Sequence, residues 1–161
     1  MPEAVVVAAT RSPIGRANKG SLVDMRPDDL ATQVVTSLME RSGVDASEVE
    51  DLIMGCGQPA GESGYNIGRV VAVEAGMPDV PGVTVNRYCS SSLQTTRMAA
   101  HAIKAGEGDC FIAAGVETVS RFMSGMSDGM PGTTNPDFDG ARARTAERSQ
   151  GGQGAWTPPE G

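Results

Sequence analysis

Val83-Thr-Val-Asn-Arg-Tyr-Cys-Ser-Ser-Ser-Leu-Gln94 passes from a β-patterned stretch straight into a helix-patterned one, with Cys89 at the junction. A helix start leaves backbone N–H groups unpaired and carries a partial positive charge, which favours a thiolate over a thiol. The thiolate is the nucleophilic form, so a cysteine placed here is a candidate for covalent catalysis. The plainer alternative is a buried cysteine acting as a small hydrophobe, as most unpaired cysteines do.

Working outward, apolar runs alternate with helical patterns. Ala4–Ala9 (AVVVAA) suits a strand buried on both faces. Pro13 and Gly15 break it into a loop. A helix is predicted over about Pro27–Arg41, with Pro27 in its first turn, Asp28 and Asp29 at its positive end, and Gly43 as its stop. Its apolar stripe reads Leu30, Val34, Leu38. Asp45-Ala-Ser-Glu48 has the form of a capping box. Asp51–Cys56 is the second strand, Asn66–Ala75 the second helix after the Gly61–Gly64 loop, and Val83–Arg87 the third strand. The third helix covers Cys89–Ala105 and the fourth strand Cys110–Ala114. The third helix carries small residues on several sides, with Leu93, Thr96, Ala100 and Ile103 at helical spacing, which predicts a buried central helix. The order β-α-β-α-β-α-β implies an α/β fold around a mixed, mostly parallel sheet.

From about Arg121 the character changes. Residues 121–161 are rich in Gly, Pro, Ser, Met and charge without a sustained period, which predicts an irregular or partly disordered segment after a first domain over 1–120. Arg142, Arg144, Glu147 and Arg148 suit a short helical piece. The end, Gly151 to Gly161, carries no sign of a domain finishing.

Bulk properties narrow the function. A chain of 161 residues suits one domain, or one domain plus an appended segment. A formal charge of -7 and a pI near 4.6 argue against nucleic-acid binding, though a local cluster of donors could still hold an anionic small ligand. Three widely spaced cysteines (Cys56, Cys89, Cys110) and one histidine give neither a disulfide framework nor a metal pattern, and suit a reducing compartment. With no signal-peptide pattern and no apolar run of about 18 residues, the expectation is a soluble, cytoplasmic chain without membrane contact. Cys56 and Cys110 read as core residues. His101 lies twelve residues past Cys89 on one helix, about 18 Å away at 1.5 Å per residue, so it cannot activate that thiol within the subunit. A base for Cys89 is therefore missing from this chain.

Three strings sharpen the reading. Ala8-Ala-Thr-Arg-Ser-Pro-Ile-Gly-Arg16, Val85-Asn-Arg-Tyr-Cys-Ser-Ser-Ser-Leu-Gln94 and Ala114-Gly-Val-Glu-Thr-Val-Ser120 resemble, in order and spacing, the thiolase family of acetyl-CoA acetyltransferases and 3-ketoacyl-CoA thiolases. The resemblance covers the chain to about Ser120, and the tail resembles the opening of the family's loop domain. It implies a thiolase-like fold and makes Cys89 the acyl-accepting nucleophile of a ping-pong transfer, with its N–H as an oxyanion donor. It implies CoA and acyl-CoA as substrates and no tightly bound cofactor. Degradative members cleave 3-oxoacyl-CoA with CoA, as in fatty-acid and lipid degradation, and biosynthetic ones run the reverse Claisen condensation; the surroundings of Cys89 resemble the bacterial degradative type more. The resemblance further implies a complete protein more than twice this long, assembled as a homodimer or homotetramer. The activating histidine, the second cysteine and most CoA contacts would then lie past Gly161. Glu117 matches an acidic position after the fourth strand, where a structural role is expected. Ser92 departs from the Gly of many members. Cys-Ser-Ser-Ser-Leu also occurs in the related ketoacyl synthases, the alternative enzyme of the fold; a non-catalytic binding or dimerising fragment of the same fold is the alternative from another class.

Overall fold

The computed structural model describes residues 2–124 and 140. These belong to a compact unit over 1–126, apart from Gly140 in a second unit over 127–161. The predicted helical piece at Arg142–Arg148, and the tail beyond residue 124, lie outside the described residues.

Six main elements follow one another: α1 (Pro27–Ser42), β1 (Asp51–Gly55), α2 (Ile67–Glu74), β2 (Gly82–Val85), α3 (Ser91–Ala105) and β3 (Phe111–Gly115). The strands form one parallel sheet of order β2-β1-β3. Leu52, Met54 and Cys56 alternate with Ile53 and Gly55, so the central strand serves two layers. Leu52, Met54 and Cys56 join Val35 of α1 and Ile67 and Val71 of α2 in the core. Gly55 instead meets the head of α3.

Local chemistry explains the element limits. Pro27 opens α1 beside Asp28 and Asp29, and Gly43 closes it at φ 69° with its N–H on the Met39 carbonyl. The buried stripe of α1 is Ala31 and Val35, one position on from the stripe the sequence suggests, with Leu30 and Leu38 packing at its margins. The capping box is present: the Asp45 carboxylate accepts from the Ser47 N–H, and the Glu48 carboxylate accepts from the Asp45 N–H.

Two expectations are corrected. Ala4–Ala9 is not a strand. Val5, Val6 and Val7 are 70%, 81% and 76% exposed. An apolar run signals that a segment is fit for burial, but a strand also needs a neighbour to complete its hydrogen-bond ladder. Among the described residues none lies beside it. The third helix, in turn, is buried along one stripe only, Ser91, Thr95 and Ala99; Leu93 is exposed. Small residues permit close packing on several sides, but α3 has the sheet on one side alone among the described elements.

A 3₁₀ turn runs over Val119–Ser124, and Arg121 within it forks onto Glu62, with an Nε–Oε2 distance of 2.5 Å. Arg26 reaches Glu62 at 3.1 Å and holds Asp28 through two further bonds. Hydrogen bonding from Arg121, with the Arg121 and Arg26 charges, holds the Glu62 carboxyl below its ordinary range against a smaller opposing effect of burial. A depressed carboxyl favours the fold above the unfolded pKa of about 4.3, and that contribution is lost as pH falls through the folded value. We therefore expect Glu62→Gln to lower the urea midpoint at pH 7, with the gap to wild type narrowing below about pH 4. A gap that stays constant with pH would contradict this role.

Candidate active site

The carboxyl ends of β1 and β3 carry glycines in register, Gly55 beside Gly115. A Cβ at Gly55 would stand 2.6 Å from the Ser91 carbonyl carbon, and one at Gly115 would stand 2.6 Å from the Ser92 Cβ. Both distances are below contact, so these positions let the first turn of α3 rest directly on the sheet. The sequence reading took neither glycine as functional. A lone glycine inside a strand pattern is the signal that could have found them, since it often marks a close backbone approach. The same contact explains Ser92: its side chain sits where Gly115 has none.

Cys89 stands just before this seat and is exposed, which excludes the reading of a buried hydrophobe. Ser90 precedes the helix without a side-chain cap, so the positive end of α3 is left open beside the thiol. The turn before it is held tightly. Asn86 accepts from the Tyr88 N–H at 2.8 Å and donates to the Gly57 carbonyl at 3.2 Å. Tyr88 has φ 47°, in the left-handed region that a bulky side chain rarely occupies.

An open depression of about 520 Å³ lies over the sheet's carboxyl end, bordered by Tyr88, Cys89, Ser92, Gly57, Gln58 and Glu117. This is where open α/β sheets bind their ligands. Glu117 is exposed as a residue, yet its Oε2 accepts from the Gly57 N–H at 2.7 Å. Burial pushes its carboxyl up, partly offset by the Gly57 and Gln58 N–H groups. Its bond ties the loop after β1 to the segment after β3.

The other sequence candidates fall elsewhere. Cys56 is in the core, its thiol pushed up by burial and by Glu117. Cys110 is half-buried against the same core and is also pushed up by burial. His101 is exposed along α3, remote from the depression. Among the described residues no histidine joins Cys89.

Comparison with known proteins decides the family. Residues 4–143 match the model of the thiolase N-terminal domain. The chain belongs to the thiolase family. This thiolase chain is 46% identical over 122 residues to a 3-ketoacyl-CoA thiolase of Bacillus subtilis, covering 75% of the chain and 31% of that protein. It is 46% identical over 138 residues to a beta-ketoadipyl-CoA thiolase of Acinetobacter baylyi, covering 83% and 34%. A 3-ketoacyl-CoA thiolase of Aeromonas salmonicida is 37% identical over 156 residues, covering 96% and 38%. The thiolase chain thus spans about a third of the length of the curated relatives it matches. No described helix is long and apolar enough to cross a membrane.

Proposed function

We propose that Cys89 is the nucleophile of a thiolase-type acyl transfer. The observation that carries this is an exposed thiol at the uncapped head of α3, over the sheet's carboxyl edge, in a chain of the thiolase family. The thiolate attacks the thioester carbonyl of an acyl-CoA, forming the new C–S bond. The tetrahedral oxyanion then collapses, expelling CoA as the leaving thiolate, which takes up a proton. The Cys89 N–H is the oxyanion donor from this half of the site. In the condensing direction an acetyl-CoA carbanion then attacks the acyl-cysteine. In the degradative direction the thiolate attacks the 3-oxo carbonyl of a 3-oxoacyl-CoA instead, the C2–C3 bond breaks to release an acetyl-CoA carbanion that takes up a proton, and CoA attacks the acyl-cysteine left behind.

The base that prepares Cys89 and the acid/base cysteine are supplied by parts of the complete protein outside these residues. The substrate class is a 3-oxoacyl-CoA, cleaved by CoA in the degradative direction, as in fatty-acid breakdown. The names of the relatives support this choice. The complete protein works in the cytoplasm as a homodimer or homotetramer and needs no tightly bound cofactor.

The test is acylation. The full-length native product, incubated with acetyl-CoA and no acceptor, should gain one acetyl group per chain, mapped to Cys89 and released by added CoA. Acetyl-CoA that leaves no mass change, or one at another residue, would overturn the assignment and favour a non-catalytic dimerising role.

A further inference from the structure

Three serines follow Cys89, and only the middle one is buried: Ser91 is 4% exposed. Its hydroxyl is used twice within one turn. It accepts from the Arg87 N–H at 2.8 Å and donates to the Tyr88 carbonyl at 2.6 Å. That carbonyl also accepts from the Ser91 N–H at 3.0 Å. The Tyr88 carbonyl belongs to the same peptide unit as the Cys89 N–H. In a trans peptide the C=O and N–H point in opposite directions, and no cis bond occurs among the described residues. Two hydrogen bonds on the carbonyl therefore fix the plane of this unit and aim the Cys89 N–H away from the buried side.

Tyr88 needs such holding. A non-glycine residue at φ 47° persists only when its surroundings over-determine it. Asn86 fixes the peptide unit before Tyr88, through the Tyr88 N–H, and Ser91 fixes the one after it. Gly55 presses the Ser91 backbone from below, so the clamp rests on the rigid sheet.

We propose that the Ser91 hydroxyl is a positioning residue that sets the direction of the Cys89 N–H as oxyanion donor. This rests on the acyl-transfer reading above. The Ser91 hydroxyl is spent on the Arg87 N–H and the Tyr88 carbonyl, so it acts through the Tyr88–Cys89 peptide. The role has a consequence that plain stabilisation lacks. Acyl transfer passes through a tetrahedral oxyanion, whereas alkylation of the same thiol by iodoacetamide is a direct displacement that forms none. Loss of the clamp should slow the first reaction selectively.

The experiment compares both rates at Cys89 in the full chain, for wild type and Ser91→Ala, at one pH. Removing an oxyanion donor outright costs about 10²–10³ in rate. Misaiming it should cost about 10–100-fold in single-turnover acetylation by acetyl-CoA, with alkylation staying within about threefold. If Ser91→Ala does not fold, Ser91→Cys carries the same comparison, since it has nearly the same volume and only a weak S–H donor. Parallel losses in the two reactions, or acetylation at the wild-type rate, would overturn the assignment while leaving the nucleophile in place. A wild-type chain that alkylates at Cys89 but never acetylates there would instead remove the acyl-transfer reading, and this role with it.

Discussion

Cys89→Ser should leave the chain folded and unable to form an acyl-enzyme. The side chain is exposed and belongs to no core cluster, so its replacement opens no cavity and strands no buried group. Chemically the change is severe. A serine hydroxyl in the same place is far less acidic and less nucleophilic than a thiol. Loss of a nucleophile in covalent catalysts costs about 10⁴-fold or more in turnover. We expect that order of loss in steady-state thiolysis, with an unchanged urea midpoint, and no acetyl group retained on incubation with acetyl-CoA. Wild-type turnover in the variant would end the assignment of Cys89. A large loss of stability would show instead that the thiol supports the fold.

Gly55→Ala should be strongly damaging, because it strikes the seat of α3 beside Cys89. The new carbon would meet the Ser91 carbonyl carbon at 2.6 Å and the Ser92 nitrogen at 2.7 Å. Both are backbone atoms of the first turn of α3, so no side-chain rotation relieves the clash. Overpacking of this kind costs about 1–3 kcal/mol, and we expect the upper end. Turnover should fall further than stability does, because a displacement of about 1 Å at a reacting group can cost about 10²-fold. Gly115→Ala offers an internal control. There the close contact is the Ser92 Cβ alone; the next atoms stand at 3.5 Å. Adding Ser92→Gly should therefore rescue Gly115→Ala and leave Gly55→Ala unrescued, read as coupling in urea titrations of the double variants. Equal rescue at both positions would mean that the helix is not seated on the strand ends as described.

The difference between these two glycines could not be read from the sequence, and the reason is physical. Local signals were legible. Pro27 and Gly43 marked the ends of α1, and Asp45 with Glu48 announced the capping box, because such motifs act within a few residues. Strands β1 and β3 were legible as apolar runs within one residue of their observed limits. Cys89 at a strand-to-helix junction was legible for the same reason. Features set by register or by distant partners were not. The Gly55–Gly115 seat depends on which strands are neighbours. Arg121 finds Glu62 across 59 positions, a pairing that no local motif announces. Val5–Val7 show the converse error, since an apolar run states a preference without naming the neighbour that would satisfy it.

Both tyrosines of the chain, Tyr65 and Tyr88, have left-handed backbones and stand largely in solvent, 98% and 66% exposed. Glycine or asparagine would relax either one, since such conformations cost a bulky residue on the order of 1–3 kcal/mol. A laboratory selection for heat resistance would therefore find the two sites equally attractive and accept changes at both. Their fates under a selection for growth should diverge, because only position 88 shares a peptide unit with Cys89, the proposed nucleophile. A thermostable lineage of this thiolase would record, in which tyrosine it gave up, whether its conformational strain is idle or in use.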